Sequence, residues 1–357
     1  MRHRPWIFLL ACAAFGPSLA HAEVAKEEDP SRKSPTVFRF GLSATTGEKE
    51  AKAAASSLVT YLKMRLETDV TVVVLPTPRA LADALANGDV DMAWMQPLTY
   101  VEAHKKSEGI MPLVKMLRHG MAFYRGVLIS KATYPAKDPK GIKNASVEWV
   151  APDSAAGFLF PRSKLVSLGL QPEYLFKTEK FGGDHAKVCQ DVLDGKVDVG
   201  ATFADELPNK QLVLNGCIQT IGAAASSKLK ILLKSDPIPN DVIAARAGLN
   251  MRDLGRVWQA FLVVPKDNPV VRNVFKADGF ASVAPHDFDP VEFAAVSAPP
   301  VSETAKMDVS PKPEEAKADA PASEAPMPDV AIVDDAKPDA PKADAPATDA
   351  PKADAGT

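Results

Sequence analysis

Val90-Asp-Met-Ala-Trp-Met95-Gln-Pro-Leu-Thr-Tyr100 carries a short apolar run straight into a polar turn and the start of a helix. A strand that feeds a helix through so few residues is the unit of an α/β sheet. The units on either side repeat it. Upstream, Val37 to Leu42 reads as a strand, Glu48 to Glu67 as a helix capped by Thr46, and Val70 to Leu75 as a β-branched strand. Arg79 to Asn87 reads as a short helix ended by Asn87-Gly88. Downstream the pattern starts again. Val127 to Ser130 and Glu148 to Ala151 read as strands, and Pro152-Asp-Ser-Ala-Ala-Gly157 leads into a helix to about Leu168. After an extended piece at Phe176, Phe181-Gly-Gly-Asp-His185 opens a helix over Ala186 to Asp194, and Val197 to Phe203 is its partner strand. Ile231 to Leu233, a short strand reaching Arg246, and a helix from Met251 to Phe261 close the body. Two α/β halves with the chain returning after the second predict two lobes across a cleft. A single doubly wound sheet is the other reading.

Composition removes the ends from this frame. Residues 299–357 hold 15 Ala, 11 Pro and 13 Asp plus Glu among 59 positions, with no aromatic side chain. Such a segment has too little apolar surface to offset its ordering entropy and reads as a solvated tether. Its 6 Lys against 13 acids give −7, while the whole chain carries −3. The rest is therefore +4, and +2 without Arg2 and Arg4. A body so close to neutral lacks the basic face of a nucleic-acid binder. Met1-Arg-His-Arg4, the apolar run from Pro5 and Ala20-His-Ala22 have the order of a secretory signal cut after Ala22. Leu9-Leu-Ala-Cys12 resembles a lipoprotein box, which makes a lipid-anchored form through Cys12 the alternative to a freely exported one.

Cleavage leaves two cysteines, Cys189 and Cys217, which either bridge in an oxidising compartment or stay as separately buried thiols. The four remaining histidines are scattered, so neither a metal site nor a cofactor is expected.

Three strand-to-helix turns are candidate binding elements. The first N–H groups of a helix lack internal partners and sit at the positive end of its dipole, which suits an anion. At Ser154-Ala-Ala-Gly157 the side chains are small enough for an oxyanion to approach the backbone, and Ser154 can cap the helix or bond a ligand. Gly182-Gly-Asp-His185 offers flexible glycines and an imidazole. Gln96 to Tyr100 offers an amide and a phenol.

These turns also carry a resemblance. Asp91 to Ala103, Ala151 to Pro161, Gly182 to Ala186 with Val192 to Ala201, and Ile238-Pro-Asn-Asp241 occur in the order found in the phosphate/phosphite/phosphonate periplasmic substrate-binding proteins. The resemblance runs from about Val37 to about Phe280. It implies an α/β, two-lobed type 2 periplasmic binding protein fold with a central ligand cleft. Lobe one would comprise 37–125 and 223–298, lobe two 126–222, with a polar leader at 23–36. It also implies a protein that captures a small phosphorus oxyanion and presents it to an ABC permease in the inner membrane. Carried over position by position, the ligand-binding residues would be Tyr100, Ser154, Ala155, Ala156 and His185. Asp205, with Glu206 beside it, and Asp241 would read an amine or a protonated oxyanion.

The chain departs from the family where two further hydroxyls are usual, at Ala155 and Ala156, and where a tyrosine is common, at Pro78 or Arg79. Each missing charge-assisted hydrogen bond is worth roughly 1.5 to 3 kcal/mol, so either the ligand differs or backbone amides carry more of the binding. Two other functions fit the same residues. One is an envelope sensor or scaffold without transport. The other is a hydrolase using Ser154 and His185, which lacks a GxSxG elbow and an acid placed to orient the histidine.

Overall fold

The computed structural model describes residues 34–44, 48–284 and 286–301. The signal segment, the Thr46 cap and the tail beyond 301 lie outside the described residues.

The first lobe opens with β1 (Val37–Ser43), α1 (Glu48–Leu66), β2 (Asp69–Leu75), α2 (Pro78–Asn87), β3 (Met92–Met95), α3 (Pro97–Lys106) and β4 (Met111–Leu117). Local chemistry sets these boundaries. Thr77 accepts from the Ala80 N–H at 3.1 Å to start α2, Pro78 occupies its first turn, and Gly88 ends it at φ 81°. The second lobe contains β5 (Phe123–Lys131), β6 (Ala145–Trp149), a π-helical turn at Ala155–Leu159 running into α4 (Phe160–Ser167), α5 (Pro172–Leu175), β7 (Phe176–Phe181) and α6 (His185–Asp194). It continues through β8 (Val199–Glu206), β9 (Leu212–Val213), α7 (Asn215–Ile221), α8 (Ala223–Ser226) and β10 (Leu229–Pro239). The chain then returns for β11 (Val242–Ala245), α9 (Met251–Leu262), β12 (Gly279–Ser282) and α10 (Asp289–Ser297).

The strands form two separate sheets, ordered β12-β4-β11-β3-β1-β2 and β10-β5-β8-β6-β7, with β9 paired to β8. A single doubly wound sheet is thereby excluded. In the first sheet β1 runs parallel to β2 and β3, while β11 inserts antiparallel between β3 and β4. Residues of α1 and α9 cover one face of it in a continuous apolar cluster; those of α2 and α3 cover the other.

The return differs from the expectation. Leu229–Pro239 pairs antiparallel with β5, so the second sheet extends past residue 222 and the chain crosses back at Asn240. Pro237 and Pro239 look like strand breakers, but β10 is an edge strand, where a missing N–H leaves no neighbour unpaired. Cys189 of α6 and Cys217 of α7 form a disulfide, with Cα atoms 5.5 Å apart at a sequence separation of 28. Closing a loop of that length stabilises by about 3 to 4 kcal/mol in the chain-entropy account.

The C-terminal segment straps the lobes together. On the first-lobe side the Phe288 and Tyr100 rings meet at a tilt with centroids 4.6 Å apart, and Lys115 pairs with Asp287 at 2.6 Å. On the second-lobe side, the buried Arg162 of α4 donates to the carbonyls of Pro299 (2.8 Å) and Pro300 (3.0 Å). Glu179 pairs with the same guanidinium, so these two buried charges offset each other. Phe288, Val291 and Ala294 join an apolar cluster that includes Leu85 of one lobe and Trp149 of the other.

Candidate functional site

A cavity of about 500 Å³ lies between the sheets, lined from both lobes and from the crossings. Its second-lobe wall begins where β6 ends. The chain turns at Ala151, with the Ser154 N–H on the Ala151 carbonyl at 3.0 Å, and Ser154 Oγ accepts from the Gly157 N–H at 3.0 Å. This cap consumes one lone pair and leaves the Ser154 O–H free to donate. The helix begins as a π turn, closed by the Phe160 N–H on the Ala155 carbonyl. Its first amides, those of Ala155 and Ala156, lack intrahelical acceptors by position. Glycine is required at 157 for space: a Cβ there would lie 2.4 Å from Val150 Cγ2 and 2.7 Å from Ser154 Oγ. Ala155 and Ala156 line the cavity with short side chains, which leave the backbone of this turn open to approach.

His185 borders the same wall as the first residue of α6, after Asp184 caps that helix through the Lys187 N–H at 2.8 Å. Its Nδ1 lies 3.0 Å from Thr202 Oγ1, and its ring meets Phe203 edge-on at 5.1 Å. Burial pushes its pKa down to about 4, against the opposing pull of Asp184. The ring is therefore neutral near pH 7 and offers a single N–H.

The opposite wall carries charge. Gln96 precedes α3 without a side-chain cap, so the start of that helix opens on the cavity. Arg118, just past β4, sets Nη2 2.8 Å from Asp241 Oδ2, and Trp94 Nε1 donates to the same oxygen at 3.2 Å. His119, at φ 51°, places Nε2 3.4 Å from Asp205 Oδ2, which also accepts from Asn215. Tyr124 of β5 borders the cavity and meets Phe203 edge-on at 6.2 Å. Burial, then the Asp241 carboxylate, push its hydroxyl well above the ordinary phenol range. That hydroxyl is a donor at any working pH.

Of the residues expected at the site, Ser154, Ala155, Ala156, His185, Asp205 and Asp241 line this cavity. Tyr100 does not. It lies one turn into α3, its N–H bonding the Gln96 carbonyl at 2.9 Å, and its ring packs on Phe288 under the strap. Burial there raises its pKa to about 12. Tyr124 is the phenol that borders the cleft instead. Glu206 is committed elsewhere, to Arg125 and, at 3.8 Å, to Lys234. Arg118, Tyr124 and Asn240 were missed because they stand at or beside the lobe crossings: Arg118 and Asn240 lie between strands, and Tyr124 sits at the very start of β5. Ser154 and His185 share no hydrogen bond among the described residues; each is engaged with its own neighbour, Gly157 or Thr202. Nor does any group of three metal-ligating side chains occur among the described residues, and no described helix is long and apolar enough to cross a membrane.

Comparison with known proteins gives a consistent result. The family model of the periplasmic substrate-binding protein of phosphonate ABC transporters matches residues 40–288. The phosphate-import protein PhnD of Mycolicibacterium smegmatis is 22% identical over 262 residues, covering 70% of this chain and 79% of its own. The phosphonates-binding periplasmic protein of Escherichia coli is 22% identical over 268 residues, covering 74% of each. Among solved structures, PhnD1 of Prochlorococcus marinus in complex with methylphosphonate aligns with a TM-score of 0.56 at 16% identity, over 74% of this chain and 98% of its own. A Xanthomonas citri protein bound to chloride aligns with a TM-score of 0.61 at 16% identity, over the same shares. At such identities the structural likeness speaks for the fold.

Proposed function

This chain belongs to the periplasmic substrate-binding proteins of phosphonate ABC transporters, and on that premise we propose that its cleft captures a small phosphorus oxyanion for delivery to an inner-membrane permease. Membership makes it a solute-binding protein of an importer rather than an enzyme. The observation that carries the ligand class is the helix start at Ser154–Gly157, where a hydroxyl and two helix-start amides meet the cleft beside a neutral His185. Backbone N–H groups at a helix start favour an anion of high charge density, and they do so without a basic surface.

In this reading Ser154, the Ala155 and Ala156 amides and His185 hold the oxyanion from the second lobe. Tyr124 and Arg118 close on it from the crossing side. Asp241 holds Arg118 in place, and Asp205 holds His119. The permease is the partner, and the mature chain begins after Ala22 in the periplasm. A mature mass beginning instead at Cys12 with a lipid would move the protein to the membrane surface.

Isothermal titration with phosphate, phosphite, methylphosphonate and 2-aminoethylphosphonate tests the ligand class. Micromolar or tighter binding of at least one supports it. No heat and no thermal shift with all four would overturn it.

A further inference from the structure

We infer that Asn240 reads the acid proton of the ligand, so that the cleft selects an oxyanion still carrying a P–OH over an otherwise identical anion without one. This rests on the proposed phosphorus-oxyanion reading and adds the residue that sets its selectivity. Asn240 sits at the second crossing, between β10 and β11, and borders the cavity with 1% of its surface exposed. Its carboxamide Nδ2 donates to the carbonyls of Met116 (3.1 Å) and Met121 (2.9 Å), and its backbone N–H donates to the Ala122 carbonyl at 3.0 Å. Both side-chain donors are thus spent on the first crossing. Turning the amide over would set its oxygen against two carbonyl oxygens, so the hydrogen-bond network fixes which way it faces. Among the described residues, Asn240 Oδ1 is left buried and without a hydrogen-bond partner.

Buried acceptors are rarely left unpaired, and an orphan beside a binding cleft asks for a donor from the ligand. One oxygen of each neighbouring carboxylate is engaged: Asp241 Oδ2 takes both Arg118 and Trp94, and Asp205 Oδ2 takes Asn215 with His119 beside it. The Asn240 acceptor is itself neutral, and a neutral amide oxygen suits a neutral O–H better than an ammonium, whose charge calls for a counter-ion. A fully ionised oxyanion at the same place would set lone pair against lone pair.

Methylphosphonate monoanion and methanesulfonate are nearly the same size and carry the same charge; they differ in the acid proton. We expect the wild-type protein to bind methylphosphonate at least tenfold more tightly by titration calorimetry, one neutral hydrogen bond being worth about that factor. In Asn240→Ala that ratio should fall toward one, while the ratio of 2-aminoethylphosphonate to methylphosphonate stays unchanged. Damage to the hinge alone would weaken all ligands together and leave both ratios intact.

A pH series on the wild-type protein covers the case in which the variant does not fold. Methylphosphonate affinity should drop as its second proton leaves, and methanesulfonate affinity should not. Arg118, His119, Tyr124 and Asp241 at the crossings, Lys276 and Asp278 from the return, and Asp153, His185 and Asp205 across the cleft face both ligands alike. The sulfonate series therefore cancels their titration. Equal affinity for the two ligands, an unchanged ratio in the variant, or a loss confined to 2-aminoethylphosphonate would overturn the role of Asn240 and leave the proposed function standing. Absence of binding by any phosphorus ligand would overturn both.

Discussion

The two walls of the cleft differ in kind. On the second-lobe side the groups placed to donate are neutral: the Ser154 hydroxyl, the amides of Ala155 and Ala156, and an imidazole that burial keeps uncharged. On the crossing side stands a guanidinium already 2.8 Å from a carboxylate. A neutral wall lets an anion in without paying for the release of a counter-ion, and its fixed dipoles do not reorganise when the ligand arrives. A paired Arg118 contributes charge that can be redirected, at the cost of loosening its hold on Asp241. The contrast teaches that the donors of the cleft come in two kinds, neutral dipoles on the second-lobe side and a paired cation on the crossing side.

That contrast can be broken most forcibly through the scaffold of the neutral, second-lobe wall. Reducing Cys189–Cys217, which ties the helix carrying His185 to α7, should remove about 3 to 4 kcal/mol of stability and lower the melting temperature by roughly 10 °C. Scanning calorimetry with and without reductant reads this. A shift under 2 °C would mean the neutral wall is rigid without it. Arg118→Ala comes next. Loss of a charge-assisted hydrogen bond should weaken phosphonate binding by about 100-fold in titration calorimetry, with Arg118→Lys intermediate. An unchanged affinity would place the anion wholly on the neutral wall.

His185 gives the next effect through acidity. Its folded pKa of about 4 lies below the unfolded value of about 6.5, so the unfolded chain takes up the proton first. The stability it contributes is present above about pH 6.5 and is lost as pH falls toward 4, by about 2 kcal/mol after allowing for solvent at the cleft. The difference in denaturant midpoint between wild type and His185→Asn isolates it, and a difference independent of pH would contradict a buried neutral ring. Ser154→Ala should cost about 1 kcal/mol of stability as a lost cap and about tenfold in affinity as a lost donor. Smallest of all, Tyr124→Phe should reduce affinity by about fivefold while Tyr100→Phe leaves it unchanged. The reverse order would restore Tyr100 to the site.

Much of the fold was legible because its signals are local. The alternation around Val90 to Tyr100, the αL stops at Gly88 and Gly195, and the small turn at Ser154–Gly157 each follow from residue chemistry over a few positions. What escaped depends on tertiary context. Tyr100 and Tyr124 are both aromatic residues near element starts, and only the phase of α3 and the path of the strap decide which one borders the cavity. β10 was read as a fragment because Pro237 and Pro239 weaken the pattern, and its edge position makes them harmless. Arg118 and Asn240 lie where the chain passes between lobes. Their neighbours are set by two distant segments meeting, which no window along the chain contains.

The C-terminal strap has a mechanical consequence. Two backbone crossings side by side make a hinge about which one body can both swing and twist against another. A third tie, anchored at Lys115 and Tyr100 on one side and Arg162 on the other, joins the bodies at a further point and so restrains such movement. It also packs directly behind the π turn that starts at Ala155 and against α3, whose first turn opens on the cleft from the other lobe. The two helix starts that border the cavity from opposite lobes are thus braced by one continuous piece of chain, in the manner of a bowstring.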